Sequence, residues 1–117
     1  MRIAFMLISV FAVAAAQDAK PRPISLTGLV VDTGCYLSHD TKGEKHIKCA
    51  TACAKAGVPL AILEEKTGTV YLVVAVDHKN PNEKLMPFIE KRVAVTGTLF
   101  EKGGVKGVGL KTVAAAE

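Results

Sequence analysis

The 117-residue chain has no tryptophan, two tyrosines, four phenylalanines and three cysteines. So few aromatics leave no stacking platform for single-stranded nucleic acid. With 15 Lys+Arg against 11 Asp+Glu, the formal net charge is only +4, and no long basic run marks a phosphate-binding stripe. Nucleic acid is excluded as a partner on both counts. The patterns C-x2-C and G-x-S-x-G and a dense carboxylate pair are also missing. Thiol-exchange enzymes, acyl-transfer enzymes and hydrolases rely on such patterns, so the chain reads as non-enzymatic. No apolar stretch reaches the roughly 20 residues that a membrane-spanning helix needs.

Apolar residues are instead concentrated in one shorter run. Met1-Arg2 precede Ile3 to Ala16, a segment without formal charge in which only Ser9 is polar. Its composition is that of a secretory leader, and Ala14-Ala15-Ala16 supplies the small residues of an A-x-A cleavage site. The expected organisation is a signal peptide over 1–16, an extended lead-in over 17–25 holding Pro21 and Pro23, and a single domain over 26–117. Such a chain is exported, to the periplasm or the extracellular space, with no membrane span once the leader is removed; a leader retained as an anchor is the alternative. Thiols in an oxidising compartment are first read as disulfide partners. An odd count leaves one over, as a free thiol, an intermolecular link or a metal ligand.

Within the domain, Leu26 to Asp32 reads as a strand closed by Thr33-Gly34, and residues 36–45 as a polar loop. His46 to Ala56 carries helix formers and stops at Gly57 and Pro59. Pro59 to Glu64 and Thr69 to Val76 form a hairpin across Glu65-Lys66-Thr67-Gly68, whose last residue suits a left-handed turn position. A short helix is expected from Asn82 to Lys91, with Leu85, Phe88 and Ile89 on one face and Pro87 inside it. Arg92 to Phe100 and Val105 to Val113 make a second hairpin around Lys102-Gly103-Gly104. This order predicts a mainly β fold. It is a small five-stranded OB-like Greek-key barrel with a Cys/His-containing helical insertion between strands 1 and 2 and a short helix between strands 3 and 4. Gly28, Gly97, Gly107 and Gly109 permit its bends; an open α+β meander would use the same elements.

The candidate chemistry sits in the insertion. Cys35, His39, His46, Cys49 and Cys53 hold all three cysteines and two of the three histidines in the pattern C-x3-H-x6-H-x2-C-x3-C. On a helix, His46, Cys49 and Cys53 stand at i, i+3 and i+7, so one stripe could converge with Cys35 on a single point. Soft thiolates with imidazole suit zinc or Cu(I), with Cys35, Cys49 and Cys53 as donors, His46 completing the site and His39 as its substitute. The competing reading is a disulfide from Cys35 to Cys49 or Cys53, since an i, i+4 pair within one helix holds its Cβ atoms too far apart for an unstrained bridge. A third reading packs Cys49 and Cys53 as small apolar groups beside Ile47, Ala50 and Ala54. Asp77-His78 has no cysteine at a spacing that would make it a catalytic base.

The runs Gly28 to Leu37 and His46 to Pro59, with Val93 to Thr98 and Gly103 to Gly107, resemble a group of small exported bacterial proteins. The resemblance covers most of the chain after the leader and is most specific in the cysteine-rich part. It implies an OB-like module with a Cys-containing insertion after strand one, and it implies no activity. Two other periplasmic OB-type proteins are analogies of fold only. The haem chaperone of cytochrome c maturation uses a histidine in a C-terminal H-x3-Y setting, whereas this chain has none after His78. The small periplasmic copper chaperone uses methionines, a histidine and a tryptophan; here Met86 is the only methionine beyond the leader, so a copper site would have to be built on thiolates.

Together these features describe an exported binding module with a cysteine-stapled insertion that takes a soft metal ion or a protein partner. The alternatives are a periplasmic thiol redox protein and a purely structural, disulfide-stabilised interaction domain.

Overall fold

The computed structural model describes residues 18–117 together with residues 10 and 12. Apart from those two positions, the leader expected over 1–16 lies outside the described residues. The chain forms a closed five-stranded barrel in the order β1-β2-β3-β5-β4, the OB-like Greek-key arrangement expected. Its strands are β1 (Ala19–Asp32), β2 (Leu60–Glu64), β3 (Val70–Val73), β4 (Arg92–Lys102) and β5 (Val105–Ala115).

Closure depends on the length of β1, which runs antiparallel to β4 from Arg22↔Leu99 to Leu29↔Arg92 and to β2 from Gly28↔Glu64 to Asp32↔Leu60. Gly28 sits where the strand changes partner, and a Cβ there would lie 2.2 Å from the Leu63 carbonyl oxygen. Only glycine permits that backbone approach. β3 then pairs antiparallel with β2 and parallel with β5 at Leu72↔Gly107 and Val73↔Val108, which closes the barrel. Of the residues expected as an extended lead-in, Gln17 lies outside the described residues, and Ala19 to Ser25 already belong to β1. Pro21 and Pro23 lack a ladder N–H and hide this strand from the sequence pattern.

Alternate residues of β1 and β4, among them Leu26, Val30, Val93 and Val95, face a core shared with Leu60, Ile62, Val108 and Leu110. Each such fully buried side chain contributes about 1.5–3 kcal/mol of transfer free energy. The expected helix between β3 and β4 is replaced by two 3-10 turns, Pro81–Lys84 and Met86–Phe88. Pro87 cannot donate an N–H and would clash with the carbonyl four residues back, so a continuous helix is blocked there. Leu85 and Ile89 still enter the core, while Phe88 packs half-buried against it.

Asn82, expected as the helix cap, is buried, and Asn80 caps the first turn in its place. The Asn82 side chain accepts from the Leu60 N–H at 2.9 Å and donates to the carbonyls of Ala54 at 3.2 Å and Val58 at 2.9 Å. It ties the end of the insertion to the start of β2. Asn82→Ala orphans buried backbone groups, so urea denaturation should show a loss of about 2–4 kcal/mol.

Candidate functional site

The site begins at Asp32, the last residue of β1. It is fully buried, and its Oδ1 accepts the Cys35 N–H at 2.9 Å, capping helix α1 (Thr33–His39). Asp40 ends that helix in the left-handed region, at φ 53°, with its N–H returned to Tyr36. Residues 36–39, expected as loop, are therefore helical, and Cys35 stands on a helix rather than just beyond a strand. The sequence signal was an Asp in N-cap position, masked by Thr33 and Gly34, both weak helix formers.

The second arm is a 3-10 turn, Glu44–His46, that runs directly into α2 (Ile47–Lys55). Gly57, at φ 98°, follows its end. Ala50 and Ala54 are the buried side of α2 and let it lie close against the barrel. Cys49 and Cys53 lie on another side: Cys49 is exposed and Cys53 half-buried. They are not core packing groups, because the two alanines take that place.

The fold brings Cys35 from α1 to Cys49 and Cys53 on α2, with all three sulfurs within 4.8 Å of one another. A second group, Asp32, Cys35 and His46, meets the same limit, so Cys35 belongs to both. Three thiolates bound to one zinc at about 2.3 Å lie roughly 3.8 Å apart, a contraction that small side-chain rotations supply. The bridge expected from Cys35 to Cys49 or Cys53 is not formed; all three are free thiols. These groups could hold a metal ion.

His46 is buried and donates from Nε2 to Asp32 Oδ2 at 2.7 Å, so it reaches the trio through Asp32 and Cys35. His39, the expected substitute ligand, lies in neither group. It is exposed, with Nδ1 2.6 Å from the Ser38 hydroxyl. Desolvation, then the Asp32 carboxylate and the neighbouring thiols, pushes the Cys35 thiol up to about 11. Desolvation, followed by Cys49 and Asp32, raises Cys53 as well. Without a cation these two thiols stay protonated at neutral pH, which disfavours thiolate nucleophile chemistry.

Sequence reasoning missed Asp32 and Glu90. Glu90 stands in a charged triplet with Lys91 and Arg92 that reads as surface, and only tertiary placement reveals its role. It is buried, and its Oε2 accepts the Gly43 N–H at 2.8 Å, fastening the loop that leads to His46. Among the described residues its Oε1 has no hydrogen-bond partner. Burial raises the Glu90 carboxyl, with Asp32 adding to the shift, while the Gly43 N–H and His46 oppose it. The folded state thus binds this proton more tightly than the unfolded state, and stability falls as pH rises from the ordinary carboxylate range through the raised value. Glu90→Gln keeps the acceptor for Gly43 and removes the buried charge. It should match or exceed the parent in neutral-pH denaturation and flatten that slope, whereas Glu90→Ala should be less stable than Glu90→Gln by about 1–2 kcal/mol.

Among the described residues no helix is long and apolar enough to cross a membrane. No protein-family model, curated protein or solved structure matches the chain, so the reading of the site rests on its own geometry.

Proposed function

We propose that the chain is an exported metal-binding module that takes one soft ion, Cu(I) or zinc, on the thiolates of Cys35, Cys49 and Cys53. The observation that carries the reading is the convergence of three sulfurs from two helices within 4.8 Å. Thiolates select Cu(I) and zinc over harder cations. A three-sulfur set suits three-coordinate Cu(I) directly, while zinc would complete its tetrahedron with a fourth donor. Export is supported by the leader-like composition of residues 1–16 and by the resemblance to small exported bacterial proteins. Cys35 and Cys53 are held above the ordinary thiol range, the opposite of the lowering that activates an exchange thiol.

Anaerobic loading with Cu(I) and, separately, with zinc, followed by metal analysis after desalting, tests the reading. One ion per chain with all thiols protected from alkylation is the expected result; no retained metal, or thiols that alkylate as freely as before loading, overturns it. Loading displaces thiol protons, so affinity should fall as pH drops, by about tenfold per pH unit for each proton displaced. A competitive titration at two pH values measures this.

A further inference from the structure

The three sulfurs are not equally accessible. Cys35 and Cys53 are half-buried, whereas Cys49 is exposed. Its neighbours on the outer side of α2, Lys48 and Ala52, are exposed too. Behind the cluster, His46 is buried and its Nε2 is held by Asp32. A metal ion on the three thiolates would therefore be closed on its inner side and open on the side of Cys49. A structural metal site is closed on all sides by protein ligands; a site open on one side admits a further ligand.

Resting on the metal-binding reading, we infer that the ion is a transferable cargo, passed through the Cys49 side to a thiol-bearing acceptor by direct ligand exchange. The acceptor thiol approaches from solvent, gives up its proton and forms a metal–sulfur bond. The bond to Cys49 then breaks, and the Cys49 thiolate takes up a proton. Exchange of Cys53 and Cys35 follows, the half-buried pair leaving last. Every step replaces one metal–sulfur bond by another and one S–H by another, so charge balances and no oxidant is consumed. Such a path is associative: its rate depends on the acceptor, because the metal never leaves the protein as a free ion.

The test uses the chain loaded anaerobically with Cu(I) and mixed with dithiothreitol as the acceptor, with protein-bound copper followed after rapid desalting. Transfer should be first order in acceptor, a tenfold rise in dithiothreitol giving about a tenfold faster loss. Ala52→Phe places a bulky group one turn from Cys49 without replacing any of the three sulfurs. It should leave the copper load unchanged and slow transfer by roughly tenfold. A rate independent of dithiothreitol over that range, or equal rates for the parent and Ala52→Phe, overturns the inference while leaving the metal site standing. A chain that retains neither Cu(I) nor zinc overturns the site and the transfer together.

Discussion

Cys35→Ser should strip the chain of its bound metal, with affinity falling by more than the ten- to hundredfold that removal of an outer-shell partner causes. Cys35 is the one residue common to both donor groups and the only sulfur on α1. Without it, the site is reduced to Cys49 and Cys53, one turn apart on a single helix. Two thiolates leave zinc two donors short of its tetrahedron and hold Cu(I) with one donor fewer. The loss should be specific. Cys35 is half-buried and lies outside the core cluster, so serine there should shift the urea midpoint little. His39→Ala, by contrast, should keep the metal, since His39 is exposed and stands in neither group. Competitive titration of the two variants beside the parent separates these outcomes. A Cys35→Ser chain that binds as the parent does would remove Cys35 from the site.

Asp32→Ala should be the most damaging single change to stability, at about 3–5 kcal/mol, because it removes two buried hydrogen bonds at once and leaves both partners unsatisfied. Its carboxylate has no exposure and makes two bonds, to the Cys35 N–H that starts α1 and to the His46 ring that starts α2. Removing it uncaps one helix and leaves a buried imidazole without its partner. With domain stabilities of only about 5–15 kcal/mol, the alanine variant can fall near the folding threshold. Asp32→Asn keeps an acceptor for the Cys35 N–H and provides the comparison. It should fold, lose less than alanine does, and bind metal more weakly than the parent because Cys35 and His46 are less firmly oriented. Urea denaturation of the metal-free chains measures the first effect and metal titration the second. An alanine variant within about 1 kcal/mol of the parent would mean that Asp32 does not hold the insertion together.

What could be read in advance followed from local pattern. The hairpin around Gly68 is visible because alternating apolar residues flank a turn whose glycine takes φ 70°. The β4–β5 hairpin and the cysteine clustering are equally local, and together with the strand order they led to the barrel. The start of β1 was hidden by two prolines, and the helical state of residues 33–39 by Thr33 and Gly34. Pro87 marked the place where the expected helix between β3 and β4 breaks into two short turns. Of the site, the sulfurs and His46 were legible from spacing. Asp32 and Glu90 were not, because their roles depend on burial against segments distant in sequence, and a carboxylate carries no mark of burial in its own neighbourhood. His39 shows the converse: its spacing admits a ligand, but the left-handed turn at Asp40 ends α1 with that ring in solvent.

Native mass spectrometry of the chain, expressed untagged and purified without chelator or reductant, tests the three-thiolate site most directly. One copper or zinc ion per chain, with all three cysteines reduced, is the expected spectrum. A metal-free chain lighter by a pair of hydrogens would contradict it, because two of the three sulfurs would then be joined to each other rather than held for an ion.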